Sequence, residues 1–272
     1  MAIAESTHWY TREGLPAYET LSADGKKMVK TTVVHARKHR YLGSPTTVID
    51  TLAKYNLIKW LVEWGIELGC DHPGRESFLE LREKHRLGQI PFTEYYQARS
   101  HFMDAVWELV DRKSSDPADT GTEIHKACEQ RLRGEDYDQR WAPWVERVTA
   151  KLSDFAPVAE MVPEKTFACL EYEYGGRPDV FAPGIVFDLK GRAADKLDVV
   201  YPEERLQLAA YGYPLKASRH VSVHICRESP DVVAIEHAPE DIATAFAAFL
   251  ALLKFFQISR GLPCPQLNGV AR

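Results

Sequence analysis

The sequence predicts a mixed α/β fold, with a central mixed β-sheet flanked by helices and a helical N-terminal portion ahead of it. Three observations lead there. The 272 residues are 45% hydrophobic and 27% charged, ordinary values for a chain that buries a core. From Ala118 onward the apolar period alternates between helical and strand spacing, in the order α, α, β, β, α, β, β, α. Residues that start and stop helices sit at the switches, among them Gly134, Pro202, Gly261 and Pro263.

In chain order, the first third is basic and then helical. Lys26 to Tyr41 carries six lysines and arginines and no acid, and its β-branched centre, Thr31 to Val34, reads as strand. Ser44 and Pro45 open a helix whose core face would include Leu52, Leu57, Trp60, Leu61 and Trp64. A further helix runs from Phe92 to Val110, and Ser114 to Pro117 breaks it as a linker. Asp119 to Arg133 reads as a separate helix, because Thr120 and Glu123 match a capping box and Gly134 stands where a C′ glycine would. A helix near Trp141 to Phe155 follows. Strands are expected at Lys165–Tyr174, Gly184–Leu189, His220–Cys226 and Val232–Glu236. Pro202 to Tyr213 reads as a helix with proline in its first turn, and Pro239 to Arg260 as the closing helix.

Composition narrows the function. A net charge of −5 argues against coating nucleic acid by bulk charge, though not against a local basic groove. The five cysteines form no C-x-x-C pair, so neither a disulfide framework nor a cysteine zinc site is expected, and a reducing cytosol is the natural compartment. Met1 to Ser6 has neither a basic n-region nor an apolar h-region, so no signal peptide is expected. Ile242 to Phe256 is the most apolar run, and Thr244 and Lys254 interrupt it, so it reads as a buried helix and not a membrane span. No G-x-x-x-x-G-K-[ST] is present, so no nucleotide hydrolysis is expected.

The most informative stretch is Gly176-Arg177-Pro178-Asp179 followed by Asp188-Leu189-Lys190. On a strand, Asp188 and Lys190 project to one face. Asp179 reaches the same point if its segment pairs with that strand. Two carboxylates around one point suit a hard divalent cation, Mg²⁺ or Mn²⁺. A lysine beside them can hold a water or stabilise a phosphoryl oxyanion. That chemistry suits metal-assisted hydrolysis of a phosphodiester. An Asp-x-Lys fragment alone reads more readily as a solvated strand end with a salt bridge. Two more pairs at i, i+4 spacing change the balance: Gly121 with His125 upstream, and Gln207 with Tyr211 downstream.

Together these residues resemble the PD-(D/E)XK nuclease superfamily, and within it the RecB-type exonuclease branch that includes phage recombination and CRISPR-associated exonucleases. The likeness covers about Gly121 to Tyr211, with a looser match near Pro45, Thr46, Thr47 and Trp60. It implies a restriction-endonuclease-like core at residues 116–272, behind a basic β segment and helical cap at 1–115. It implies that Asp179, Asp188, His125 and the backbone carbonyl of Leu189 ligate Mg²⁺ or Mn²⁺. Lys190 would be catalytic with the two aspartates, orienting the attacking water. Gln207 and Tyr211 would contact the nucleic-acid strand or brace the active-site strand. Glu164 is expected at the edge of the site or as an exposed strand-start carboxylate, and Glu129, i+4 from His125, as a hydrogen-bond partner or second-metal ligand or as a solvated helix-face residue.

Arg177 and Arg205 flank the motifs as phosphate contacts. Lys38 and Arg40 belong to the basic run, which is either a DNA-contacting arm or an edge strand protected by lysines. Cys128 reads as a packing residue. Of the cysteines that hold an iron–sulfur cluster in some relatives only Cys264 lies in the right region, so no cluster is expected. The resulting expectation is a cytoplasmic Mg²⁺- or Mn²⁺-dependent deoxyribonuclease acting on linear single- or double-stranded DNA in recombination, repair or end processing. An unidentified partner protein and a viral or bacterial setting go with it. The alternatives are a structure-specific or nicking endonuclease with the same site, and a non-catalytic nucleic-acid-binding protein on the same fold.

Overall fold

The computed structural model describes residues 8–22, 25–51 and 66–265. The helix expected around Leu57 to Trp64 lies outside them. Two short strands, β1 (Trp9–Tyr10) and β2 (Glu19–Leu21), lead to β3 (Met28–Lys30), α1 (Val33–His39), β4 (Leu42–Gly43) and α2 (Pro45–Ile49). Next come α3 (Arg75–Arg86), α4 (Phe92–Arg133) and α5 (Ala142–Ser153). The rest is β5 (Val162–Pro163), β6 (Phe167–Cys169), β7 (Tyr174–Gly176), β8 (Val180–Ala182), β9 (Ile185–Arg192), α6 (Pro202–Leu215), β10 (Arg219–Cys226), β11 (Val232–Glu236) and α7 (Pro239–Ser259). The fold is mixed α/β.

Three expectations need correcting. Thr31 to Val34 does not form a strand. Thr32 caps α1, and His35 closes the box by accepting from the Thr32 amide at 3.2 Å, which outweighs the β preference of Val33 and Val34. The strand lies just upstream, at β3. Ser114 to Pro117 does not end a helix either, because α4 is continuous through it and Thr120 is interior. One interior proline costs about 3 kcal/mol, and many helical turns on either side absorb it. Finally, Lys165 to Tyr174 is not one strand but a tight antiparallel pair, β6 and β7. Glu173 turns it at φ 57°, and Gln257 donates from its side chain to the Tyr172 and Glu173 carbonyls at 2.8 and 3.1 Å.

The chain divides into two compact units, Met1–Leu52 with Gly121–Arg272, and Ala53–Thr120. The smaller unit holds α3 and the first part of α4, joined by stacked rings such as Phe78 on Phe102 at 4.7 Å. The larger unit is built on a five-stranded sheet ordered β11-β10-β9-β8-β5. Within it β9 and β10 run parallel and the other pairs antiparallel, and α6 makes the crossover that parallel neighbours require. A second sheet, β1-β4-β7-β6, brings the N-terminal strands into the same unit.

Both faces of the large sheet are buried, so its central strands are not half-solvated. On one face Ile185, Phe187 and Leu189 of β9 and Val221, Val223 and Ile225 of β10 pack with Ile124 of α4 and with Val145, Val148 and Leu152 of α5. On the other, Val186 joins a cluster with Leu208 of α6, Phe249 and Phe256 of α7, and Trp9 and Tyr174 of the second sheet. Gly175 permits that sheet's close approach, since a Cβ there would lie 2.9 Å from Tyr10 Cβ. Helix α7 has the length and hydropathy of a membrane-crossing helix, yet Ile242, Ala245, Phe249, Leu253 and Phe256 are buried in this core.

Candidate active site

Strand alternation places Asp188 and Lys190 on the face beneath α6, while Phe187 and Leu189 point into the opposite layer. Asp188 is 1% exposed, with its Oδ2 2.8 Å from Lys190 Nζ. Burial pushes the Asp188 carboxyl up to about 7, with Lys190 opposing and Asp179 adding to the rise. Burial works against the Lys190 charge, but Asp188 and Asp179 outweigh it and hold its pKa above the usual lysine range.

Asp179 sits in the bend before β8, which pairs antiparallel with β9. Its Oδ2 accepts from the Leu189 amide at 2.6 Å, which fastens the carboxylate beside Asp188. Lys190 Nζ donates to Gln207 Oε1 at 3.1 Å. Gln207 Nε2 donates to the Tyr211 hydroxyl at 2.7 Å and lies 3.5 Å from Thr46 Oγ1 of α2. The structure thus joins Asp188, Lys190, Gln207 and Tyr211 in one polar chain, with Asp179 at its edge. Tyr211 is buried at 5% exposure and packs edge-on against Phe167, so it braces Gln207 from below. Burial raises its phenol pKa, and the charge of Asp188 adds to this.

His125 projects from α4, where Ile124, Ala127 and Cys128 anchor the helix in the core. Its pKa is lowered by burial; Asp179 opposes this and Lys190 reinforces it. His125 Nε2 is sequestered from solvent without a hydrogen-bond partner, and Asp188 Oδ2 is sequestered equally. Asp188 Oδ2 is met by the Lys190 ammonium at 2.8 Å. Among the described residues no three His, Cys, Asp or Glu side chains gather as a closed metal-ligand set. The two atoms still fit a divalent cation, because an imidazole nitrogen without a partner and a buried carboxylate oxygen are the donors such an ion satisfies. Cys128 is a packing residue, its thiol pushed up to about 12 by burial.

The remaining candidates are arranged around this centre or away from it. Glu164 adopts φ 53° and ties its amide to the Asp179 carbonyl at 3.0 Å. Its carboxylate pairs with Arg177, whose guanidinium lies 5.8 Å from the Tyr18 ring centre. Burial raises the Glu164 carboxyl pKa, with Arg177 opposing. Glu129 pairs with Arg133 at 2.7 Å along the helix. Arg205 turns toward α7, 3.8 Å from Asp241 and 3.5 Å from His237. Lys38 and Arg40 are exposed on and just after α1, whose Arg37 donates to the Arg260 carbonyl at the end of α7.

Two features escaped the sequence reading. Thr46 reaches Gln207 from a segment about 160 residues upstream, and no local spacing signals that contact. The face of β10 toward α6 is polar from His220 to His224, with His220, Ser222 and His224 all buried. Alternation of His, Val, Ser, Val and His reads as a half-exposed strand unless α6 is known to cover it.

No protein-family model matches the chain, and no curated protein matches it. Among solved structures it is similar to the protein SSO0001, at 15% identity and a TM-score of 0.27, covering 40% of this chain and 57% of that one. It is also similar to a candidate exonuclease from Eubacterium rectale, at 11% identity and a TM-score of 0.39, covering 56% of this chain and 76% of that one. The chain spans little more than half the length of SSO0001.

Proposed function

We propose that the chain is a Mg²⁺- or Mn²⁺-dependent deoxyribonuclease that degrades linear DNA from an end. The observation that carries this reading is the buried Asp188–Lys190 pair, fastened beside Asp179, with His125 Nε2 sequestered and without a hydrogen-bond partner. A buried ion pair is a poor stabilising device, since desolvation offsets the attraction. A strand that sequesters one in a covered sheet serves chemistry better than stability.

Asp179, Asp188, His125 and the Leu189 carbonyl are the groups that would hold the metal ion. When bound, the ion supplies Lewis-acid polarisation of a phosphoryl oxygen. Lys190, kept charged by two carboxylates and steadied by Gln207, orients a water for in-line attack on phosphorus. A P–O bond forms to the water oxygen as the bond to the leaving 3′ oxygen breaks. The water's proton ends on bulk solvent or the leaving oxygen, giving a 5′-phosphate and a free 3′-hydroxyl. Arg177 would contact the substrate backbone.

The test uses linear DNA labelled separately at each end and a closed circle of the same sequence. Single- and double-stranded forms are incubated with Mn²⁺, Mg²⁺ or EDTA. The expected result is degradation of linear forms only, stopped by EDTA and slowed about 100- to 1000-fold by Asp188→Ala or Lys190→Ala. Cutting of the circle would replace the exonuclease with an endonuclease. Binding without cleavage under every condition would overturn the catalytic reading.

A further inference from the structure

A second charged cluster lies one turn of α6 away from Lys190, and the chemistry proposed above does not use it. Arg192 of β9 pairs with Glu204 in the first turn of α6, where the glutamate side chain is 3% exposed. The Tyr201 amide donates to Glu204 Oε1 at 2.9 Å. Glu204 Oε2 accepts from His224 Nε2 of β10 at 2.7 Å, and the Leu197 carbonyl accepts from His224 Nδ1 at 2.8 Å. The Arg192 guanidinium also lies 4.8 Å from the Tyr201 ring centre. One carboxylate thus ties both parallel strands to the start of the crossover helix.

Such a cluster is expensive to bury, and apolar residues of the same volume would stabilise the junction as well. What it fixes is position. In the sheet, His224 is the register partner of Lys190. On the helix, Gln207 is i+3 from Glu204 and shares its face. Its Oε1 meets Lys190 Nζ at 3.1 Å, and the first turn must be seated for that distance to hold. We propose that Glu204 is a positioning residue. By clamping the first turn of α6 to Arg192 and His224, it holds Gln207 against Lys190, without touching substrate. What the held lysine then does rests on the nuclease reading.

The experiment compares wild type, Glu204→Ala, Glu204→Gln, Gln207→Ala and the Glu204→Ala/Gln207→Ala double variant. Cleavage of end-labelled linear DNA gives kcat and KM per folded molecule. Hydrogen exchange of the α6 amides is measured on the same proteins without DNA. Glu204→Ala is expected to lower kcat at least about ten-fold with KM nearly unchanged. Glu204→Gln keeps an acceptor oxygen for Arg192, and its amide donates to Nε2 of a neutral His224 whose Nδ1–H still serves Leu197, so it recovers most of the rate.

The double variant is expected to be no slower than the slower single variant, because both substitutions act through one contact. The amides of Gln207 to Tyr211 exchange faster in Glu204→Ala, while β9 stays protected. Multiplying rate losses in the double variant, or an unchanged kcat in Glu204→Ala, overturns the proposal. If the wild type cuts no DNA, the nuclease reading falls, and the exchange data decide alone: unchanged α6 protection in Glu204→Ala overturns the clamp. If Glu204→Ala does not fold, His224→Asn removes one arm of the clamp, and unchanged exchange and kcat in that variant overturn the proposal equally.

Discussion

Replacing Lys190 with methionine removes the cation from a pair whose other member is 1% exposed and 2.8 Å away. Even with Lys190 present, burial holds the Asp188 carboxyl up to about 7. An unfolded aspartate titrates near about 3.9. Between these values the folded state binds more protons than the unfolded chain, so this group's contribution to stability falls as pH rises from about 4 to 7 and is level above. Without Lys190 the folded carboxyl is lifted further, and the decline continues past pH 7 at about 1.4 kcal/mol per unit. The stability difference between wild type and Lys190→Met therefore grows by about 1–2 kcal/mol between pH 5 and pH 8, heading toward the roughly 3–5 kcal/mol of a bare buried charge. Urea unfolding in EDTA at pH 5, 6, 7 and 8 measures it, and titrations common to both proteins cancel in the difference. A difference that is constant across the four pH values, or shrinks as pH rises, would refute this reasoning.

Two further outcomes follow from the layer beneath α6. Gly212 faces His220 so closely that a Cβ would lie 2.0 Å from the ring Nε2, so Gly212→Ala should cost about 1–3 kcal/mol by overpacking. In a His220→Ala background that cost should vanish, and additive losses in urea midpoints would contradict the contact. Burial opposes ionisation of Glu204, but His224, the Tyr201 amide and Arg192 hold its carboxyl down to about 2. Its depressed folded value stabilises the protein above about pH 4.3, the unfolded glutamate value, and that stability is lost as pH falls toward 2. Glu204→Gln should trail wild type by on the order of 3 kcal/mol at pH 6 and converge with it near pH 2; parallel curves would contradict the assignment.

The parts of this structure that could be read from sequence are those governed by local rules. Pro202 and Pro239 set the starts of α6 and α7, and Val232–Glu236 is the strand expected there. The nine-residue separation of Asp179 and Asp188 needed only a tight turn between paired strands to bring them together, and β8 and β9 provide it. What could not be read depends on partners distant in the chain or on the folded backbone itself. Thr32 and His35 form a cap that only the folded helix reveals, and it reverses the β preference of two valines. Pro117 breaks isolated helices, yet here long helical segments run on both sides of it. Thr46 meets Gln207 because the N-terminal sheet joins the larger unit, and Glu204 becomes a clamp only once β9 and β10 lie side by side beneath it.

The central claim is that Asp188, sequestered beside Lys190 and Asp179, is the heart of a divalent-metal centre. The direct measurement is a Mn²⁺ titration of the protein at pH 8 followed by electron paramagnetic resonance, with Asp188→Asn and His125→Ala as comparisons. Saturable Mn²⁺ binding is expected in the wild type and abolished in Asp188→Asn. A nitrogen coupling to the ion is expected to disappear in His125→Ala. Mn²⁺ that stays free in solution, or binds Asp188→Asn as well as the wild type, would overturn the metal assignment.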